Sequence, residues 1–205
     1  MVCIINYGSG NVAALANVYR RERVPHLVAN SPHDLRSGTH YILPGVGAFD
    51  PTMEMLERSG FRAALEEEVF GNKKPVLGIC VGMHLLAEGS EEGTHPGLGW
   101  IGGYVRKIDP SRLPTPPYLP HMGWNSVQIK RSIPLLEGID MERGFYFLHS
   151  YYFDANGSDA ILATVEYGQE LPCVVGKDNV FGAQFHPEKS HRNGVRLLVN
   201  FARLL

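Results

Sequence analysis

Short apolar runs alternate along the first half of the chain with stretches whose apolar positions recur every three or four residues, the signature of strands interleaved with helices. Val2 to Asn6 reads as a buried strand, closed by the turn Gly8-Ser9-Gly10. A helix follows, with Val12, Leu15, Ala16 and Tyr19 on its apolar face. His26 to Ala29 and His40 to Leu43 predict two more strands, the second ending in Pro44-Gly45-Val46-Gly47. Phe61, Leu65 and Val69 mark another helix face, and Pro75 to Ile79 forms a short apolar strand that runs straight into Cys80. Met83 to Ala87 then resumes helical spacing. The pattern predicts a largely parallel sheet covered on both sides, with ligands beyond the carboxyl ends of its strands.

The second half changes character. Trp100 to Ile108, Ser126 to Ile129, Gly144 to Phe153, Ile161 to Tyr167, Cys173 to Gly176 and Val180 to Phe185 are all strand-like, which predicts antiparallel pairs. Lys177-Asp178-Asn179 reads as a tight turn between two of these runs, and the proline-rich stretch Ser111 to Pro120 as a loop. A last helix carries Val195, Leu198, Phe201 and Leu205 inward. With no repeat and no break in composition, residues 1–205 read as one α/β domain with a central, mostly parallel sheet and an antiparallel extension.

Composition narrows the class of molecule. An apolar share of 44% against 20% charged residues supports a globular core and excludes a disordered chain. The net charge of −2 gives no electrostatic footprint for nucleic acid. Three cysteines, Cys3, Cys80 and Cys173, form no CxxC pair, so neither a disulfide framework nor a structural metal site is expected, and a reducing cytoplasm suits them. No apolar run has the length of a membrane span.

Candidate chemistry begins at Gly78-Ile79-Cys80-Val81-Gly82. Strand, nucleophile and helix in that order make an elbow in which a side chain two positions either side of the cysteine would collide. The start of the following helix would favour a thiolate, and the Val81 N–H could donate to an oxyanion. Read alone, Cys80 fits a small buried hydrophobe equally well. A cysteine nucleophile needs a base, and the base an orienting group. Phe185-His186-Pro187-Glu188 offers both, although an isolated edge histidine beside a solvated glutamate fits the same four residues.

The combination of segments goes further, for the chain resembles the class I glutamine amidotransferases. Their triad is a cysteine on a GxCxG elbow with histidine and glutamate in an H-P-E near the C-terminus. Within that class it is similar to the glutaminase subunits of imidazole glycerol phosphate synthases. That similarity rests on Asn6-Tyr7-Gly8-Ser9-Gly10-Asn11, Leu43 to Gly47, Pro120-His121-Met122-Gly123-Trp124-Asn125, Tyr146 to Tyr151, and Gly182 to Ser190.

The resemblance implies Cys80 as nucleophile, His186 as general base and acid, and Glu188 as its orienter. It implies an oxyanion hole from Val81 and from Val46 and Gly47, whose loop would flip before donating. Gly45, His84, Glu91, His149, Ser150 and Tyr151 would line the pocket for L-glutamine. Pro120, His121, Met122, Gly123, Trp124, Asn125, Tyr146 and Lys189 would face a partner, a (β/α)8-barrel cyclase of the HisF type in a heterodimer. Ordinary packing would also account for Trp124 and His121. Neither metal nor organic cofactor is implied.

One residue departs from the pattern. The family usually carries a substrate-contacting glutamine where this chain has His84, and an imidazole cannot reproduce both faces of an amide. The resemblance also extends to relatives outside histidine biosynthesis, which supply ammonia for surface-sugar amination. The sequence leaves both assignments open.

Overall fold

The computed structural model describes residues 1–113 and 119–204. Half of the loop expected at Ser111 to Pro120 therefore lies outside the described residues, as does Leu205. The alternation of the first half is realised as β1 (Val2–Ile5), α1 (Val12–Arg21), β2 (His26–Ala29), β3 (His40–Gly45), α2 (Phe49–Ser59), α3 (Phe61–Glu66), β4 (Val76–Cys80) and α4 (Val81–Leu85). Every residue of β1, β3 and β4 is buried, as expected of parallel strands covered on both faces. Helix α1 buries Leu15, Ala16 and Tyr19, whereas Val12 at its head is only partly buried.

Helix α2 has no counterpart in the sequence reading. It buries Phe49, Thr52, Met53 and Leu56, a face at helical spacing. Pro51, which disguises that pattern, sits in the first turn, where a missing N–H costs nothing. Gly60 ends the helix at φ +74°, a left-handed position that favours glycine.

The second half contributes β5 (Gly89–Ser90), β6 (Gly103–Lys107), β7 (His121–Asn125), β8 (Gln128–Ile129), β9 (Phe145–His149), β10 (Tyr151–Ala155), β11 (Ile161–Glu166), β12 (Glu170–Lys177), β13 (Val180–Ala183) and α5 (His191–Phe201). The run from Trp100 is shorter than expected, becoming a strand only at Gly103. The run Gly144 to Phe153 is not one strand: it breaks at Ser150 into β9 and β10, which join different sheets. Strand β7 lies in a segment without a strand-like reading. In α5, Leu198 and Phe201 are fully buried and Val195 packs partly buried against the core.

The main sheet has the order β2-β1-β3-β4-β13-β12-β11-β8. Its first five strands are parallel and the last three add antiparallel pairs, the extension expected from the sequence. Lys177 to Val180 is the tight turn of the β12–β13 hairpin, with Asp178 at φ +52°. Smaller sheets, β10-β6-β5 and β7-β9, stand beside it. Strand β4 is central, and its C-terminal Cys80 lies level with Gly45 of β3, while Ile79 lies level with Ala183 of β13. The segments leaving β3 and β13 therefore flank the end of β4. No helix among the described residues is long and apolar enough to cross a membrane.

Candidate active site

Cys80 ends β4 at φ +54° and ψ −115°, a backbone conformation that L-residues rarely adopt. The neighbouring glycines explain how the turn closes. A Cβ on Gly82 would stand 1.9 Å from the Leu43 carbonyl oxygen, and one on Gly78 would stand 2.4 Å from the Gly82 carbonyl oxygen. Helix α4 has only five residues, so it contributes little of the dipole expected to favour a thiolate.

His186 follows β13 and is buried, and its ring lines the same cavity as Cys80. Its Nδ1–H donates to Glu188 Oε1 at 2.9 Å, which leaves the other ring nitrogen for the thiol. Burial disfavours the imidazolium, but the hydrogen bonds and charges of Cys80 and Glu188 prevail and raise its pKa to about 9. Burial likewise works against the Glu188 carboxylate, and the bonds from His186 and Asn11 overcome it, so the group ionises below the usual carboxylate range. The Asn11 contact, Nδ2 to Oε1 at 2.7 Å, joins the turn after β1 to the far end of the chain. Sequence reasoning gave Asn11 no role. The result is a thiol, an imidazole and a carboxylate in the order that nucleophilic catalysis uses.

Beyond β3, the Val46 N–H does not face the cavity. It donates to Ser9 Oγ at 2.9 Å, and Ser9 Oγ returns a bond to the Val46 carbonyl at 3.1 Å. This peptide must turn over before its N–H can reach an oxyanion near Cys80. Gly47 at φ +95°, with open space where a Cβ would be, gives the loop the freedom for that rotation.

A cavity of about 500 Å³ opens over Cys80, lined by Val46, Gly47 and Val81 on the loop side and by Leu148 to Tyr151 opposite. His84, His149, Ser150 and Tyr151 all reach it. Gly45 packs beneath it, where a Cβ would meet the Gly82 nitrogen at 2.5 Å. Glu91 does not reach it. That side chain pairs with Arg106 at 2.9 Å and accepts the Lys107 N–H, at the exposed C-terminal end of β6. Its neighbour Glu92 lines the cavity instead, holding the Phe49 N–H at 3.0 Å. A two-residue strand, β5, sets which of the adjacent carboxylates turns inward, and no periodicity announces that.

His84 is buried, and its Nε2 lies 2.7 Å from Gln184 Oε1, an acceptor, so Nε2 carries the proton. Burial lowers its pKa to about 4 and keeps the ring neutral. Among the described residues, Nδ1 is then a lone pair without a partner, as the Gln184 amide nitrogen is a donor without one.

The residues expected to face a partner divide by strand alternation. Met122 and Trp124 are 64% and 45% exposed, whereas His121 between them and the core is buried and Asn125 donates to the Glu166 carbonyl. His121 therefore turns its side chain inward, because inward and outward positions alternate along β7. Trp124 stacks on His191 and meets Tyr146 edge-on, and Lys189 sits over the Tyr146 ring. Gly123 lies between the two exposed side chains, while Pro120 and Lys189 also touch the cavity. The backbone of Tyr146 bonds to His186 and to Ser190, tying β9 to the H-P-E segment.

Comparison with known proteins agrees with this geometry. Residues 4–204 match the family described as glutamine amidotransferase class-I. The chain is 48% identical to imidazole glycerol phosphate synthase subunit HisH of Bdellovibrio bacteriovorus and 46% identical to that of Leptospira interrogans, each over the full length of both chains. Among solved structures it superposes on a glutamine amidotransferase with a TM-score of 0.71 at 18% identity, covering 99% of each chain. A chain of PurLQS from Thermotoga maritima gives 0.72 at 14% identity, covering 98% of this chain and 96% of that one. The structural likenesses speak to the fold alone.

Proposed function

The chain belongs to the class-I glutamine amidotransferase family, and from that premise we infer that it is the glutaminase subunit of an imidazole glycerol phosphate synthase. It hydrolyses L-glutamine to L-glutamate and ammonia. The ammonia passes to a (β/α)8-barrel cyclase subunit, which makes imidazole glycerol phosphate and the aminoimidazole carboxamide nucleotide of histidine biosynthesis. The observation that carries the reading is Cys80, held at positive φ at the end of β4 beside the His186–Glu188 pair.

The Cys80 thiolate attacks the side-chain amide carbon of glutamine, forming a C–S bond and a tetrahedral oxyanion. The Val81 N–H and, once turned, the Val46–Gly47 peptides donate to that oxygen. His186 gives its proton to the departing ammonia, which leaves a γ-glutamyl thioester on Cys80. His186 then takes a proton from water as it attacks the thioester, and glutamate leaves. Glu188 holds the ring throughout, with Asn11 holding the carboxylate. Glu92 supplies the negative charge for the substrate ammonium, and the Ser150–Tyr151 backbone the opposite wall. Met122, Trp124, Tyr146 and Lys189 form the docking face.

Glutamate release decides the matter, measured for this chain alone and with a barrel subunit, with and without its nucleotide substrate. Strong stimulation by barrel and nucleotide is expected. Cys80→Ala is expected to abolish release while the barrel still co-purifies; residual activity at the wild-type level would overturn the assignment.

A further inference from the structure

His121 lies on the same strand as the exposed Met122 and Trp124, yet its ring is clamped between Phe147 and Tyr167, stacked at centroid distances of 4.6 and 4.0 Å. Its polar atoms belong to a hydrogen-bond chain whose direction is fixed at every link. The Tyr151 carbonyl can only accept, so His149 Nδ1, 2.8 Å away, carries a proton. Burial holds His149 neutral, with a pKa of about 3, and its Nε2 is therefore a lone pair. His121 Nδ1, at 3.0 Å, must donate to it. Burial keeps His121 neutral as well, at about 4, which leaves its Nε2 to accept from Asn125 Nδ2 at 3.3 Å. The same amide donates to the Glu166 carbonyl at 2.9 Å. Moving any proton along this chain leaves a buried nitrogen or oxygen unpaired.

Both nitrogens of His149 are thus spent within the protein, and its ring offers no hydrogen bond to a ligand. What it controls is backbone: Ser150 is the break between β9 and β10, and the Tyr151 carbonyl is the acceptor just past it. At the other end, Gly123 has φ +116° with open space about the Cβ position, a swivel between the two exposed side chains of β7. One strand therefore presents a docking face on one side and holds a pocket wall on the other.

We propose that His121 is a positioning residue of the glutamine pocket: through His149 it sets the Ser150–Tyr151 backbone, so that displacement of the Met122–Trp124 face is felt by the bound substrate. The proposal rests on the reading of the cavity as a glutamine site. Selective 15N labelling of histidine tests the chain of bonds without any activity. His121 and His149 are both expected as Nδ1–H tautomers, and His121→Phe, which preserves the ring stack, is expected to release His149 from that form. The same variant is expected to raise KM for glutamine about tenfold, the cost of leaving a buried group unpaired, with kcat changed much less. It also reduces stimulation by the barrel. His121→Asn, whose amide can donate from the Nδ1 position, is expected to recover most of the loss. An Nε2–H tautomer on either ring of the folded wild-type protein would overturn the proposal, as would an unchanged KM in folded His121→Phe. Absence of glutaminase activity in the wild-type protein would instead fell the functional reading, and the tautomers would still decide whether the relay exists.

Discussion

Adjacent residues with the same chemistry part company at Glu91 and Glu92. Glu92→Gln should raise KM for glutamine at least tenfold, since a hydrogen bond to a charged group contributes about 1.5–3 kcal/mol. Glu91→Gln, which loosens an exposed ion pair with Arg106, should leave KM within about twofold. Equal effects at both positions, measured by steady-state glutamate release, would remove Glu92 from the pocket. Ser9 gives a second prediction at this scale, because its hydroxyl holds the Val46 peptide in the orientation that cannot serve an oxyanion. Ser9→Ala should raise glutamate release without the partner about 2- to 10-fold, the equivalent of one neutral hydrogen bond, and shrink the stimulation by the barrel. An unchanged basal rate would show that another contact restrains the loop. Cys80, His186 and Glu188 were legible in the sequence because each stands in a short local pattern. Glu92, Ser9, Asn11 and Gln184 were not, because their roles depend on contacts with segments 37 to 177 residues away or on the path of a two-residue strand.

The elbow shows how elements constrain one another. Gly82 lies in the first turn of α4, yet the space it lacks belongs to β3, whose Leu43 carbonyl would meet a Cβ at 1.9 Å. Gly82→Ala should therefore cost about 1–3 kcal/mol of stability through forced backbone displacement, and should lower kcat by shifting the Gly45–Gly47 loop relative to Cys80. Denaturant unfolding and glutamate release measure the two effects; wild-type values in both would mean that the strand and helix can separate without cost. Strands β1, β3 and β4 were legible because burial on both faces makes them continuous apolar runs. The break at Ser150 was not, since β9 and β10 are both strand-like and only their pairing with different neighbours separates them. Helix α2 was hidden by a proline in a harmless position.

At the scale of the whole molecule, burial of neutral histidines ties stability to pH. His84, His121 and His149 have pKa values of about 4, 4 and 3 in the folded state, against an unfolded value near 6.5. Their folded pKa values lie below the unfolded ones, so the unfolded chain binds more protons between pH 6.5 and 4, and stability falls as the solution is acidified through that window. Two to three extra protons give a slope of about 3–4 kcal/mol per pH unit, enough to unfold a domain of ordinary stability before pH 4. His186 works in the opposite sense: raised to about 9, its stabilisation is complete below pH 6.5 and is lost as pH rises through 9. Urea unfolding at pH 7.5, 5.5 and 4.5 should show a steep fall in midpoint; a flat profile would contradict the buried, neutral state of the three rings.

The central place of β13, between β4 and β12, and the bond from Asn11 to Glu188 give the fold an order in time. The residues that complete the sheet beside Cys80 are synthesised well after it, and until they are, the cysteine stands next to an open strand edge without His186 and Glu188. A chain cut before β13 thus lacks both the neighbouring strand and the imidazole that release of ammonia would need.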